Sequence, residues 1–355
     1  MLTSGSGAMA IAGACDFHAL ATLAPGAKAG VVEHRGPVEV AAVPGRGRGL
    51  VVTRDAEVGE LLFANRAFAV AERKLLVDSA VRRLQSCAEG EHDAFFLLCN
   101  GRTTPAALPS LSAAAEVGGS DGKGKVIRHV DREKVRAILA ANAHELDTSE
   151  LASGHARSGT MSALFLVGSL VNHSCRPSAT RVIFGDTMFV RAARPLRKGD
   201  EVTDGYISVL HPSYERRQML KSHYGFSIDD DRAVVEDALF TKAVVQPLLE
   251  RLDNGDCRED FVALAAEVER IAGERLAWLG GGGLAATAPA TEVVMSAAAR
   301  LPAAVDRMLC GTLMAVFLGV AALAGQEGRH AEAANGYARC CAFMEENAPH
   351  KAYHV

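Results

Sequence analysis

The chain has 355 residues, of which 49% are hydrophobic, and a formal net charge of −4 at pH 7. This length and composition are those of a folded globular protein with room for a catalytic domain and a helical one. A slightly acidic chain has no general basic field, so tight, direct binding to nucleic acid is not expected. The longest apolar run, residues 313–324, is shorter than the ~20 residues that cross a bilayer, and it predicts a buried helix rather than a membrane span.

The eight cysteines show no Cys-x-x-Cys or Cys/His spacing of the kind that binds metals. They indicate reduced thiols in an intracellular protein of the nucleus or cytoplasm. The first thirty residues are rich in Ala, Gly, Ser and Thr and contain no arginine. Organellar transit peptides usually carry several arginines, so residues 1–35 are predicted to be a flexible N-terminus, with organellar targeting as the less favoured alternative.

From Val38 onward the pattern becomes strand-like. Short apolar, largely β-branched runs at Val38–Val40, Leu50–Thr53 and Leu61–Phe63 are separated by glycine-containing segments. This alternation predicts an antiparallel meander, with a Gly-rich loop over Pro44–Gly49.

Helical spacing replaces the strand pattern at residues 72–100 and 131–146, where apolar side chains recur three to four positions apart. The residues between these segments, 101–125, are predicted to form a loop. Two blocks of strands are therefore expected to flank a helical insert of about residues 71–160.

The second block of strands contains a predicted hairpin over residues 180–191, with the pair Gly185-Asp186 at its turn. A two-residue connection that begins with glycine suits a primed turn, because glycine accepts a positive φ at the first central position. Residues 54–60 and 194–200 resemble each other, and each is predicted to form a tight turn between strands.

The last third of the chain is predicted to be helical. A short helix is expected over residues 213–223, with Ser213 as its N-cap, and the pattern from Asp237 onward is almost entirely helical. Residues 328–343 have the small-residue spacing of one helical-hairpin repeat. Because a single repeat cannot bury its own faces, plain helix packing is the preferred interpretation.

The most informative run lies between residues 170 and 207. It contains Asn172-His173-Ser174-Cys175, and about thirty residues later Gly199-Asp200-Glu201-Val202-Thr203 and then Tyr206. Taken separately, the first motif is an ordinary turn and Tyr206 is a tyrosine on a half-buried strand. Taken together, they resemble the C-terminal half of a SET domain, the fold of S-adenosylmethionine-dependent protein lysine methyltransferases.

The resemblance implies an α+β fold. A SET-fold β domain with a pseudoknot would occupy residues 36–227 and carry the helical insert, and a C-terminal α-helical domain would occupy residues 228–355. In this family the Asn-His segment threads under the chain that follows it, which would bring Tyr206 next to Asn172. Tyr206 then matches the catalytic tyrosine, which also contacts the cofactor, and Asn172 and His173 match cofactor-binding positions.

A second segment extends the resemblance. The loop Arg46-Gly47-Arg48-Gly49 is similar to the family's glycine-rich entry loop, which implies that Arg46, Gly47 and Arg48 bind the amino-acid end of the cofactor. A lone G-x-G is weak, and a hairpin turn or a flexible basic loop is the ordinary alternative.

The third similarity is to the SET-and-MYND branch of the family. Asn142 resembles a cofactor-binding asparagine of that branch, with a helix-surface amide as the alternative. Tyr224 and Phe226 resemble the segment that closes the lysine channel, which implies a catalytic role for Tyr224 and contact of Phe226 with the cofactor.

Three departures from the family pattern bear on function. The zinc-binding MYND finger is absent from the insert, and the cysteine cluster that usually follows the SET core is also missing, so no metal is predicted. Asp204 stands close to Tyr206, where the family prefers an apolar or small residue. Because the zinc module normally provides one wall of the lysine channel, the helices after Asp237 would have to supply that wall instead.

Methyl transfer to lysine requires a neutral amine, and with a pKa of about 10.4 only about one lysine in a few thousand is neutral at pH 7. An apolar channel that ends at a tyrosine favours the neutral form through desolvation. The predicted activity is therefore a protein-lysine N-methyltransferase, whose substrate is a histone tail or another protein with an accessible lysine. The alternative is an inactive SET-fold scaffold that binds a protein partner through its C-terminal helices.

Overall fold

The protein's structure, a computed structural model, describes residues 20, 23–101, 107, 129–146, 161–208, 211–227, 230–253, 314–326 and 328–347, with the further positions 263, 264, 266–268, 270, 271, 273, 274, 294, 296, 297 and 299. The contacts between Cα atoms divide the chain into two compact units. The first unit comprises residues 1–173 and 178–204, and the second comprises residues 174–177 and 205–355. The domain boundaries expected from the sequence stay a prediction.

The first unit is built mainly from short strands. They are β1 His34–Arg35, β2 Val38–Val43, β3 Gly47–Val52, β4 Leu61–Arg66, β5 Ala69–Glu72, β6 His144–Leu146, β7 Met161–Leu164, β8 Asn172–His173, β9 Ala179–Phe184, β10 Thr187–Ala192 and β11 Glu201–Asp204. They pair in the orders β1-β4-β10-β9, β2-β3-β11-β8 and β5-β7-β6. The pairing of β8 with β11 is parallel, whereas β2 with β3 and β9 with β10 are antiparallel.

The predicted meander is present, but its Gly-rich loop is shorter than expected. Val43 pairs with Gly47 across a turn of three residues, so Gly47–Gly49 lie in β3 rather than in a loop. Gly45 and Gly47 have φ values of 74° and 77°, which only glycine adopts without strain. The two glycines therefore close the turn, and pairing of Gly47 with Val43 makes Gly47 the first residue of β3.

The predicted hairpin is confirmed as β9 and β10. Gly185 has a φ of 58°, as the primed turn requires, and a Cβ atom there would lie 2.2 Å from the carbonyl oxygen of Ala27. The two segments that resemble each other, 54–60 and 194–200, are paired in space. The Ala56 amide donates to the Leu196 carbonyl and the Leu196 amide donates to the Ala56 carbonyl, both at 2.9 Å.

Residues before β1 pack on this hairpin, so the expected flexibility up to residue 35 is wrong for the described part. The amide of Ala29 donates to the Asp186 carboxylate at 3.0 Å, and Leu20 and Val31 are buried against Phe184 and other apolar side chains. Burial of apolar side chains, which composition alone did not reveal, orders this segment. Residues 1–19 lie outside the described part of the chain.

The helical insert contains α1 Leu76–Leu84, α2 Glu89–Phe96 and α3 Arg132–Asn142. Their apolar faces join a core that also includes Phe63 and Phe165. The helix predicted over 131–146 ends at Asn142, because Ala143 is extended and residues 144–146 pair with β7. The predicted loop over 101–125 lies almost wholly outside the described residues.

The second unit is helical and contains α4 Ser213–Tyr224, α5 Asp231–Leu239, α6 Lys242–Asp253, α7 Met314–Gln326 and α8 His330–Asn347. Pro212, not Ser213, is the N-cap of α4; the Ser213 hydroxyl is buried inside the first turn without a hydrogen-bond partner. Residues 314–324 of the apolar run form most of α7, which packs against α8. Within the described part of the chain, no helix is both long and apolar enough to cross a membrane. The fold class is α+β, as predicted.

Candidate functional site

The Asn-His motif and the basic turn meet on one sheet of the first unit. Strand β11 lies between β3 and β8, so that Val202 pairs with Leu50 and Thr203 pairs with Asn172. Strand β11 thus holds β3, which follows the basic turn, next to β8, which carries the Asn-His motif. This arrangement depends on the parallel β8–β11 pair, which no local pattern predicts.

Glu201 connects the predicted site residues of this sheet. The Asn172 side chain donates from Nδ2 to Glu201 Oε1 at 2.7 Å and to the Arg48 carbonyl at 2.9 Å. Arg46 donates from Nη1 to the His173 carbonyl at 2.8 Å and lies 3.4 Å from Glu201 Oε2. Glu201 was not among the residues predicted for the site, although it belongs to the Gly-Asp-Glu-Val-Thr run of the motif.

The backbone at Gly49 lies close to the hydrogen bond between Asn172 and Glu201. A Cβ atom at this position would lie 2.7 Å from Glu201 Oε1 and 2.8 Å from Asn172 Nδ2. By contrast, Gly45 and Gly47 have no neighbouring atom within 4 Å of a built Cβ. The backbone is therefore closely packed at Gly49 and open at the turn, beside Arg46.

Arg48 of β3 and Asn142 of α3 both donate to carbonyl groups of the insert. The Arg48 side chain is buried and donates from Nη1 to the Ala107 carbonyl at 3.0 Å; burial lowers its pKa, and the nearby Cys99 partly opposes this. Asn142 donates from Nδ2 to the Cys99 carbonyl at 2.6 Å and to the Ile138 carbonyl at 2.7 Å. Cys99 thus connects Asn142 to the neighbourhood of Arg48, and the cofactor role of Asn142 stays a prediction.

The unusual Asp204 is paired. It lies at the end of β11, in register with His173, and forms an ion pair with Arg181 of β9. The same arginine acts on His144: burial, reinforced by the Arg181 charge, lowers the pKa of His144 to about 3. The Arg181 guanidinium on β9 therefore neutralises the Asp204 carboxylate and disfavours protonation of His144 on β6.

His144 makes a testable contribution to acid sensitivity. Unfolded chains bind a proton at this residue near pH 6.5, whereas the native protein does so only near pH 3, so stability present above pH 6.5 is lost as the pH falls. The loss should reach about 1.4 kcal/mol per pH unit within that window. His144→Asn should flatten this part of the curve of unfolding free energy against pH, measured by urea denaturation.

The exposed His330 on α8 provides the control. His330→Asn removes a solvent-exposed histidine, and its curve is the reference with which the His144→Asn curve is compared. A His144→Asn curve with the same slope as the unsubstituted protein between pH 6.5 and pH 4 would contradict the assignment.

Three predicted site residues come together in the second unit. The ring centroids of Tyr206 and Tyr224 are 5.0 Å apart, and Phe226 lies 6.3 Å from Tyr206 and 6.2 Å from Tyr224. Phe226 is 37% exposed, so one edge of the cluster is accessible. Aromatic rings grouped in this way form an apolar surface that removes a bound amine from water.

Cys175 lies beneath these rings and is chemically inert. It is buried with Leu220 and Ala233, and the side chains of Tyr206 and Tyr224 pack against this cluster. Burial raises the pKa of the Cys175 thiol to about 12, so no thiolate forms near neutral pH. Cys175 therefore packs as a small apolar side chain.

In the sequence, the acidic run 229–231 suggests attraction of a basic substrate, but Asp230 is not available for this role. It caps α5, where its carboxylate accepts from the amides of Ala233 at 2.9 Å and Cys175 at 2.8 Å. Burial raises the pKa of Asp230, but these amide donors outweigh it and hold the pKa below its ordinary value. Asp229 lies outside the described residues.

The expected proximity of Tyr206 and Asn172 joins residues of the two units and stays a prediction. Along the chain, Tyr206 follows the last residue of β11 by two positions. Among the described residues, no group of three His, Cys, Asp or Glu side chains is placed to bind a metal.

Comparison with known families finds a match for part of the chain. Residues 47–207 match the SET domain family, a stretch that includes β3, β8 and β11 and ends just after Tyr206. This part of the chain is similar to a SET domain, as its motifs predicted.

Relatives are found among lysine methyltransferases. The chain is 39% identical over 69 residues to the histone-lysine N-methyltransferase SMYD3 of Mus musculus, which is 19% of this chain and 16% of that protein. It is 25% identical over 249 residues to the N-lysine methyltransferase SMYD2-B of Xenopus laevis, which is 52% of this chain and 58% of that protein. A SET domain-containing protein of Acanthamoeba polyphaga mimivirus is 31% identical over 83 residues, which is 23% of this chain and 32% of that protein. The chain therefore spans less than two thirds of each relative.

A solved structure with similarity is that of Rubisco LSMT bound to AdoMet. It is 14% identical in sequence, the match covers 83% of this chain and 88% of that chain, and the TM-score is 0.29.

Proposed function

We propose that the protein is a protein-lysine N-methyltransferase that uses S-adenosylmethionine and acts on a lysine of a histone or another protein. The observation that carries the proposal is the network of Arg46, Asn172 and Glu201 around Gly49, in a region similar to a SET domain. The lysine methyltransferases among its relatives support the same chemistry.

The network suits the amino-acid end of this cofactor, which carries one carboxylate and one ammonium group. Arg46 offers a guanidinium that is one third exposed, and Glu201 offers a carboxylate 3.4 Å away. Charge-assisted hydrogen bonds of this kind are stronger than neutral ones. Asn172 and the His173 peptide would complete the contacts. Arg48 of β3 and Asn142 of the helical insert would also bind the cofactor. Gly47 has no side chain and leaves the turn open to the cofactor.

When bound, the cofactor supplies an electrophilic methyl group on a sulfonium. The chain's own part is to orient the lysine amine, lower its pKa and exclude water. Tyr206, Tyr224 and Phe226 present apolar faces that disfavour the charged amine by desolvation. The Tyr206 hydroxyl would accept a hydrogen bond from the amine and hold its lone pair toward the methyl.

The wider assignments belong to the same proposal. The substrate would bind as an extended segment that adds a strand at a sheet edge. The reaction would take place in an intracellular compartment. The SET domain would extend over residues 36–227, followed by a C-terminal helical domain. We expect no metal in the reaction.

Cofactor binding can be tested by thermal unfolding. At 100 times its Kd, S-adenosylmethionine should add about 2.7 kcal/mol to the free energy of unfolding. Arg46→Gln should remove most of this gain, because it deletes the bonds to His173 and Glu201.

The matched control is Arg73→Gln, which breaks an exposed ion pair with Glu145 and should leave the gain intact. No stabilisation of the unsubstituted protein by S-adenosylmethionine would reject the proposal. The inactive scaffold that binds a partner through its C-terminal helices would then be the remaining interpretation.

A further inference from the structure

The peptide of Cys175 is held on both sides by one helix of the second unit. Its amide donates to Asp230 Oδ2 at 2.8 Å, and its carbonyl accepts from Arg232 Nη1 at 2.8 Å. Asp230 is the N-cap of α5, and Arg232 is in the first turn. We call these two bonds the Cys175 clamp.

The two side chains of the clamp are themselves held. Arg232 is 1% exposed and donates from Nε to Glu236 Oε1 at 2.9 Å. Glu236 is fully buried and also pairs with Arg216, while Asp230 Oδ1 accepts from the Ala233 amide. A buried charge that loses its partner is strongly destabilising, so these groups have little freedom to move separately.

The clamp also lies directly against the aromatic cluster. The Cys175 side chain, with Leu220 and Ala233, forms the surface on which Tyr206 and Tyr224 pack. The first turn of α5 therefore contributes both the bonds to the Cys175 peptide and, through Ala233, part of the surface beneath the rings. A shift of this peptide would move the support of both tyrosines.

We propose that Asp230 and Arg232 are positioning residues, which fix the Cys175 peptide and through it the rings of Tyr206 and Tyr224. This inference rests on the proposed function, because it assigns to the two residues the orientation of the tyrosines that meet the substrate amine. Neither residue touches substrate in this scheme. Their effect reaches the tyrosines through Cys175, because the two rings pack against its side chain.

Asp230→Asn tests the clamp with a minimal change. Its two carboxylate oxygens accept from different amides, so an asparagine, with one acceptor oxygen, must lose either Ala233 or Cys175. Asp131, the N-cap of α3, provides the matched control, because a single oxygen, Oδ1, accepts from both Glu133 and Lys134. Asp131→Asn keeps that acceptor, and asparagine caps a helix as well as aspartate does.

Three measurements distinguish positioning from simple stability. Asp230→Asn should lower kcat about tenfold to a hundredfold with little change in KM for S-adenosylmethionine, since small misplacements of reacting groups have effects of this size. Hydrogen exchange at the Cys175 amide should become faster. The chain has five tyrosines, so ring signals of carbon-13-labelled tyrosine can be assigned, and those of Tyr206 and Tyr224 should shift. Asp131→Asn should change none of these.

Unchanged tyrosine signals and unchanged kcat in Asp230→Asn would overturn the proposal, even if the Cys175 amide exchanges faster. If Asp230→Asn does not fold, Arg232→Lys serves instead, because lysine keeps the charge but cannot form the two-pronged contact with Cys175 and Glu236. If the unsubstituted protein transfers no methyl group, the proposed function fails, and the ring signals alone decide whether the clamp positions the tyrosines.

Discussion

Tyr206→Phe is expected to lower the rate of methyl transfer by about 10²- to 10⁴-fold, the usual effect of losing a group that handles the reacting proton or its lone pair. The phenylalanine ring keeps the contact with Tyr224, 5.0 Å away, and the packing on Cys175. Stability and stabilisation by S-adenosylmethionine should therefore be preserved. The measurement is transfer of a labelled methyl group to lysine in a cell lysate, followed by thermal unfolding of the same variant.

Tyr337→Phe is the matched control, because Tyr337 is an exposed tyrosine on α8. It should leave the rate unchanged. Tyr224→Phe separates the two tyrosines of the cluster. Full activity of Tyr206→Phe, with activity lost in Tyr224→Phe, would transfer the catalytic role to Tyr224 and refute the assignment of Tyr206.

Gly49→Ala is expected to abolish stabilisation by S-adenosylmethionine, although it adds only one methyl group. The new Cβ would come within 2.8 Å of both Glu201 Oε1 and Asn172 Nδ2. Either the hydrogen bond from Asn172 to Glu201 must therefore open, or β3 must move. Overpacking of this kind costs about 1–3 kcal/mol of stability. Calorimetric titration with S-adenosylmethionine and urea unfolding measure the two effects separately.

Two comparisons make the Gly49 result specific. Asn172→Ala should cause the same loss of cofactor binding without the steric clash, because it removes the amide that joins β8 to Glu201. Gly273→Ala should leave binding unaffected, since Gly273 is exposed and has no atom within 4 Å of a built Cβ. Normal binding by Gly49→Ala would place the cofactor away from this sheet.

The sequence predicted elements whose cause is local. Gly185-Asp186 marks a two-residue turn whatever surrounds it, and the hairpin on either side followed correctly. The same kind of argument was wrong where a distant partner decides the structure. Residues 144–146 continue a helical pattern but form β6, because β7 offers them a strand to pair with.

The candidate site divides in the same way. Its motif residues, Asn172 and His173, could be found in the sequence because the family resemblance attaches to a short run. Glu201 and Asp230 were not identified in their actual roles. Nothing in the residues around them indicates that one meets an asparagine 29 positions earlier, or that the other accepts from an amide 55 positions earlier.

By itself the sequence determined the resemblance to SET domains, the turn glycines and the residues proposed for methyl transfer. Only the tertiary structure decided that Arg46 reaches a carbonyl 127 positions along the chain, that Arg181 neutralises Asp204, and that α5 holds the Cys175 peptide. The physical reason is that backbone preferences and hydrophobic periodicity act over a few residues. Contacts between distant residues form when burial and strand pairing offset the entropy of closing the intervening chain, and no short stretch of sequence records that balance.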